Sequence, residues 1–138
     1  MTRIVLYEDH HFAGVDALWQ SVFPDDPPRN NAAQSIPKKL AERDELFFVA
    51  EDHEQAVLGT IMAGWDGHRG WLYAVAVRPD LQRSGIGRQL VETAMAALKQ
   101  RGCNKVNLQI REGNEEVAAF YQSLGFEIEP RTSMGRRL

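Results

Sequence analysis

Between Leu46 and Val77 the chain carries three apolar runs of strand length, Leu46–Glu51, Ala56–Trp65 and Trp71–Val77, parted only by the polar turns Asp52–Gln55 and Asp66–Gly70. Turns this short fold successive runs back on one another, so the three read as neighbouring antiparallel strands. Pro79 stops the last of them, because a strand interior needs the N–H that proline lacks. Two helical patterns flank the sheet in sequence. Asp9 offers an N-cap ahead of Phe12, Val15, Leu18, Trp19 and Val22, while Ile86, Leu90, Ala94, Ala97 and Leu98 form a longer apolar stripe that ends at Arg101-Gly102.

The rest of the chain extends the same pattern. Ile4 and Leu6 mark a short first strand, Ile36–Arg43 a second helix after the prolines at 24, 27 and 28, and Lys105–Ile110 alternates as a fifth strand. Asn30–Ser35 carries no assignable pattern. Asn114 opens a helix through Leu124, Gly125 ends it, and Phe126–Glu129 and Thr132–Leu138 read as two closing strands. The expected fold is α/β, layered on a mixed central sheet, with one domain over residues 1–138 and no repeat or linker. A chain of 138 residues hides about 68% of the surface its unfolded form exposes, enough for an unaided core.

Charge and cysteine usage narrow the function. Sixteen basic against nineteen acidic residues leave a net charge of −3, which argues against nucleic acid or anionic membrane as the main partner, Arg131, Arg136 and Arg137 notwithstanding. Cys103 is the single cysteine, so neither an internal disulfide nor a cysteine-built metal site is expected. His10 and His11 are expected to point apart, and no metal site is assigned. With no signal-peptide pattern and no apolar stretch near the ~20 residues of a membrane span, the expected location is the cytoplasm.

Chemistry concentrates in Gln82-Arg83-Ser84-Gly85-Ile86-Gly87, between the strand that ends at Val77 and the longest helix. Backbone N–H groups without intrahelical acceptors gather there at the positive end of a helix dipole, and Arg83 and Arg88 add charge. The segment is either an anion cradle or an ordinary strand-to-helix turn. It is neither a nucleoside-triphosphate loop, since Gly87 is followed by Arg88-Gln89, nor a dinucleotide fingerprint, since position 90 is leucine.

Val75-Ala76-Val77-Arg78-Pro79, then Gln82-x-x-Gly85-x-Gly87, then Asn114 with Phe120-Tyr121 and Leu124-Gly125-Phe126, together resemble the GCN5-related N-acetyltransferase (GNAT) superfamily. Asp66–Gly70 and Arg101-Gly102-Cys103 are most similar to its small bacterial YpeA-type acetyltransferases. The resemblance implies a three-layer domain whose largely antiparallel sheet splays between strands 4 and 5. It implies acetyl-CoA as cosubstrate, with the pyrophosphate on Arg83, Ser84, Gly85, Ile86, Gly87 and Arg88 behind Gln82, and the pantetheine arm along Val75 and Val77. The Val75 N–H would polarise the thioester carbonyl and Tyr121 would protonate the leaving thiolate.

Read without the resemblance, Val75 and Val77 are core strand residues, Tyr121 is an aromatic packed beside Phe120, and Asn114 is an N-cap rather than a coenzyme contact. The position where many members carry a carboxylate base is Trp71, which leaves Asp66, His68, Glu51 or water to take the amine proton. The expected activity is acetyl transfer to a primary amine of a small molecule, peptide or protein. The alternative is a non-catalytic acyl-CoA-binding regulatory domain. A homodimer is compatible with either.

Overall fold

The computed structural model describes residues 2–138, which divide into two compact units, one through Leu108 and one from Gln109 to Leu138. The first holds a five-stranded sheet in the order β1 (Arg3–Leu6), β2 (Phe47–Glu51), β3 (Val57–Trp65), β4 (Gly70–Val77) and β5 (Val106–Asn107). Its first three pairings are antiparallel and the β4–β5 pairing is parallel, so the sheet is mixed and largely antiparallel.

Helices cover both faces. Helix α1 (Phe12–Val22) and helix α2 (Ala32–Ala41) lie on one, where Val15, Leu18, Trp19, Ala32 and Ile36 pack with Phe47, Val49 and Met62 of the strands. Helix α3 (Ile86–Gln100) covers the other with Ile86, Leu90, Val91, Ala94 and Leu98, all buried. Adjacent β3 residues show the alternation that separates the layers: the Thr60 hydroxyl meets Trp19 of α1, while Gly59 faces Leu90 of α3. Every residue of β2 is buried, as expected of a strand covered twice.

Two boundaries differ from the sequence reading, the first for an identifiable reason. Helix α2 starts at Ala32 rather than Ile36, because Asn31 caps it by accepting from the Gln34 N–H at 2.9 Å, and the helix then runs through Pro37. Proline forfeits one intrahelical bond, a defect that a capped and partly buried helix absorbs. Its Lys39 is buried, with Nζ donating to Asp44 Oδ2 at 2.7 Å and to the Ala63 carbonyl, so α2 is tied to the sheet by a polar contact as well as by its apolar face. The expected fifth strand shrinks from Lys105–Ile110 to Val106–Asn107.

The second unit contains helix α4 (Glu115–Ser123), ended at Gly125 as expected. The Gly125 N–H donates to the Gln122 carbonyl and the Phe126 N–H to the Tyr121 carbonyl, with the Phe126 and Tyr121 rings in edge contact at 5.5 Å. The two closing strands expected at Phe126–Glu129 and Thr132–Leu138 do not form: the described residues after β5 contain no strand. Ile128, Met134 and Leu138 are exposed, so the alternation there has nothing to bury itself against, and alternation without a partner edge makes no ladder.

A Cβ on Gly59 would stand 2.8 Å from the Ala76 carbonyl oxygen and 3.0 Å from Leu90 Cδ1. Since backbone cannot swing aside as a side chain can, Gly59→Ala is expected to destabilise the fold by about 1–3 kcal/mol, read from the urea midpoint.

Candidate active site

β5 accompanies β4 only at Gly70↔Val106 and Trp71↔Asn107; from Leu72 to Val77 no strand among the described residues pairs on that side. The Arg78 N–H donates to the Leu58 carbonyl at 2.9 Å and Ala76 faces Thr60, so alternation turns the amides of Val75 and Val77 away from β3, toward the vacated edge. Here β4 also carries one residue too many. Thr60 pairs with Ala76 and Met62 with Tyr73, which sets Ala74 and Val75 together opposite Ile61. This is a β-bulge, and its Ala74 has φ of +51°, a left-handed conformation that an alanine adopts only when its surroundings impose it. At this bulge the Thr60 hydroxyl donates to the Ala74 carbonyl at 2.9 Å and accepts from Trp19 Nε1 at 2.9 Å.

Beyond Val77 the chain makes a helical turn at Pro79–Leu81 and reaches α3 through Gln82, Arg83 (φ +66°), Ser84 and Gly85 (φ +91°). Gly85 is the N-cap and has no side chain with which to cap, so the first turn of α3 keeps its free amides. No described backbone carbonyl accepts from the N–H groups of residues 83 to 88. Ser84 spends its hydroxyl on the Leu81 carbonyl, which shapes the turn. Buried Ile86 anchors the loop, while Arg83, Ser84, Gly85 and Arg88 are exposed around it. A Cβ on Gly85 would meet no protein atom within 4 Å, so positive φ, not crowding by protein, is what demands glycine there. Arg88 pairs with Glu92 at 3.2 Å, but both are exposed, a weak tie that an anion can displace.

The candidate bases are mostly engaged elsewhere. Glu51 is buried and joins β2 to its neighbours, accepting from His11 Nε2 at 2.7 Å and from the Arg3 guanidinium. The His11 hydrogen bond, reinforced by Arg3, outweighs burial and holds the Glu51 carboxyl below the usual glutamate range. His11 Nδ1 accepts from the Glu8 N–H at 3.0 Å, which puts the ring proton on Nε2. The rings of His10 and His11 do not point apart as expected; they lie 4.0 Å from each other. Asp66 accepts from the N–H groups of Arg69 and His68 at 2.8 and 2.7 Å, and these bonds lower its pKa. It is a turn-builder. His68 and Trp71 are exposed, and Cys103 is packed, with Sγ 3.3 Å from the Lys105 carbonyl. Trp65 and Tyr73 are partly exposed, whereas Trp19 is core.

A cleft of about 420 Å³ lies between α1 and the connection to α2, lined by Asp16, Trp19, Gln20, Phe23, Asn30 and Asn31 among others. A broader depression of about 510 Å³ borders His10, Gln55 and Arg78 and touches no residue of the glycine loop.

In the second unit Asn114 opens α4 without a side-chain cap bond, leaving its exposed amide unused by the helix. Tyr121 is buried, with the Phe120 and Phe126 rings in edge contact at 5.0 and 5.5 Å. Burial pushes its hydroxyl up to about 12, so it stays protonated through neutral and moderately basic pH.

A family model described as "Acetyltransferase (GNAT) family" matches residues 11–126, most of the chain. The chain belongs to the GNAT acetyltransferase family. An acetyltransferase of Yersinia enterocolitica is 38% identical, the match covering 99% of this chain and 95% of that one, and one of Pectobacterium atrosepticum is 34% identical over the same shares. The PaiA N-acetyltransferase of Thermoplasma acidophilum, solved with coenzyme A, superposes with a TM-score of 0.81 at 15% identity over 96% of this chain and 93% of that one. The YpeA-type likeness thus falls among small bacterial acetyltransferases, and the sheet that splays after Trp71 is the GNAT sheet. Sequence reasoning missed the Ala74 bulge and the Trp19–Thr60 pair that holds it; no local signal marks either, since alanine and threonine are unremarkable in a strand. None of the described residues forms a helix long and apolar enough to cross a membrane.

Because the folded state holds the Glu51 carboxyl below its ordinary 4.5, the stabilisation it gives this GNAT fold is full above that pH and is lost as pH falls through the folded value. Glu51→Gln is expected to lower the denaturation midpoint at pH 7, with the gap from wild type closing as the medium is acidified below 4.5, read by urea melts at stepped pH.

Proposed function

We propose that this acetyltransferase uses acetyl-CoA and passes the acetyl group directly to a primary amine of a small molecule, peptide or protein. The reading rests on one observation: the unpaired edge of β4 leads, through the turn at Pro79–Leu81, to the free amides at the start of α3. A diphosphate suits those amides, with Arg83 and Arg88 supplying charge beside them. An extended amide-bearing arm suits the backbone of Val75 and Val77, which offers the polar groups a neighbouring strand would take. Gln82 opens the cradle, Ser84, Gly85, Ile86 and Gly87 form it, and the free Asn114 amide is a further coenzyme contact.

In the proposed reaction the lone pair of a neutral amine attacks the thioester carbon, and the charge gathering on oxygen is met by the Val75 N–H. Collapse of the intermediate breaks the carbon–sulfur bond, and the departing thiolate takes the Tyr121 proton. Burial keeps that hydroxyl protonated at neutral pH, so the proton is in place on it when the sulfur departs. With Glu51 and Asp66 bound in their own hydrogen bonds, the proton of the attacking amine passes to His68 or to water. The cleft beside α1 and α2 is the proposed acceptor side. Trp71, standing where many relatives carry a carboxylate, favours a second reading, a regulatory domain that binds acyl-CoA without turning it over.

Thiol release from acetyl-CoA across a panel of amines separates the two: release with any amine supports transfer, and tight binding without release supports the sensor. Gly85→Asp sets a carboxylate on a left-handed backbone beside the proposed phosphates and is expected to weaken coenzyme binding by about tenfold or more, near 1.4 kcal/mol, in calorimetry. Unchanged affinity removes the cradle. Tyr121→Phe is expected to lower turnover by roughly 10²-fold while leaving coenzyme affinity within a few-fold.

A further inference from the structure

A trans peptide points its carbonyl and its N–H in opposite directions, so whatever fixes one fixes the other. The Ala74 carbonyl and the Val75 N–H belong to a single peptide unit. Thr60 Oγ1 donates to that carbonyl at 2.9 Å, and because the indole of Trp19 can only donate, its 2.9 Å bond to the same oxygen commits the threonine proton to Ala74. Thr60 is fully buried and Trp19 nearly so, with 0% and 5% of their surfaces exposed, so water does not compete for either bond. The pair therefore acts where β4 is least able to hold itself, at a bulged residue with φ of +51° beside an edge that β5 has left.

We propose that Thr60, held by Trp19, is a positioning residue that aims the Val75 N–H at the thioester carbonyl of bound acetyl-CoA. Two effects follow from the chain of bonds. Geometrically, the peptide plane cannot rotate to turn the Val75 N–H back toward β3 without breaking the Thr60 bond. Electronically, a hydrogen bond received at the carbonyl polarises the amide and strengthens its N–H as a donor at the opposite end. The device is prebuilt, so it needs no reorganisation as charge develops on the substrate oxygen. The inference rests on the reading of Val75 as the donor to that oxygen.

The test uses the whole protein and acetyl-CoA labelled with carbon-13 at the thioester carbonyl, whose infrared stretch falls in frequency when it accepts a hydrogen bond. In wild type the bound carbonyl is expected below its value in free acetyl-CoA. Thr60→Val, which keeps the shape and removes the hydroxyl, should return it most of the way to the free value while coenzyme affinity by calorimetry stays within about threefold, the bulk of the binding lying elsewhere. Thr60→Ser restores the hydroxyl and should restore the shift. Trp19→Phe, which keeps a ring and removes the N–H, should give a smaller return and decides the matter if the valine variant fails to fold. A purely structural role would lower melting temperature in these variants and leave the bound carbonyl where wild type has it, which overturns the proposal. A wild-type carbonyl indistinguishable from free acetyl-CoA overturns the Val75 reading beneath it instead.

Discussion

A strand with one neighbour leaves half of its backbone polar groups without partners, and the structure turns on where that half is put. In β4 it is put on the side that β5 abandons after Trp71, next to the amides that α3 leaves free because Gly85 cannot cap them. Several groups around this line have partners. The other edge of β4 is laddered to β3 on either side of the bulge, α3 is seated on β3 through Gly59, and the Ala74 carbonyl has the Thr60 hydroxyl. An unpaired stretch of β4 together with the uncapped amides of α3 is what the proposed site is built on.

The distribution of carboxylates follows the same economy. Glu51 is consumed in holding β1 and the turn before α1 to β2, by way of Arg3 and His11. Asp66 is consumed in folding the turn between β3 and β4, and Asp44 in meeting buried Lys39. Acidic residues that might look like bases in a sequence are thereby structural. The proton donor proposed at the other end of the reaction, Tyr121, is of the opposite kind, a polar group without a charged partner whose acidity burial alone suppresses.

How much of this was legible depended on how local the cause was. The three central strands and α3 announce themselves through period and turn residues, and the glycine loop through its place between them. Helix α2 was half read, because Pro37 mimics a helix start and the true start is an Asn31 cap in a polar stretch with no periodicity. The closing strands were misread, because alternation in residues 126–138 says nothing about whether an edge is available to receive them. At the site, Val75 and Val77 could be named only through family resemblance, since valine in a strand is ordinarily filler. The Ala74 bulge has as its polar partners a threonine fourteen positions away and, through it, a tryptophan on another layer, contacts that nothing adjacent in sequence encodes.

The bulge has one further consequence. Natural sheets shield an unpaired edge with lysine, proline or brevity, since a flat apolar strand invites strands from other molecules to add to it. From Leu72 to Val77 β4 has none of these; its residues are uncharged throughout. What remains is shape: a strand kinked by an extra residue is a poor template for a straight newcomer, so the distortion proposed to aim the Val75 amide also makes this edge a poor nucleus for aggregation.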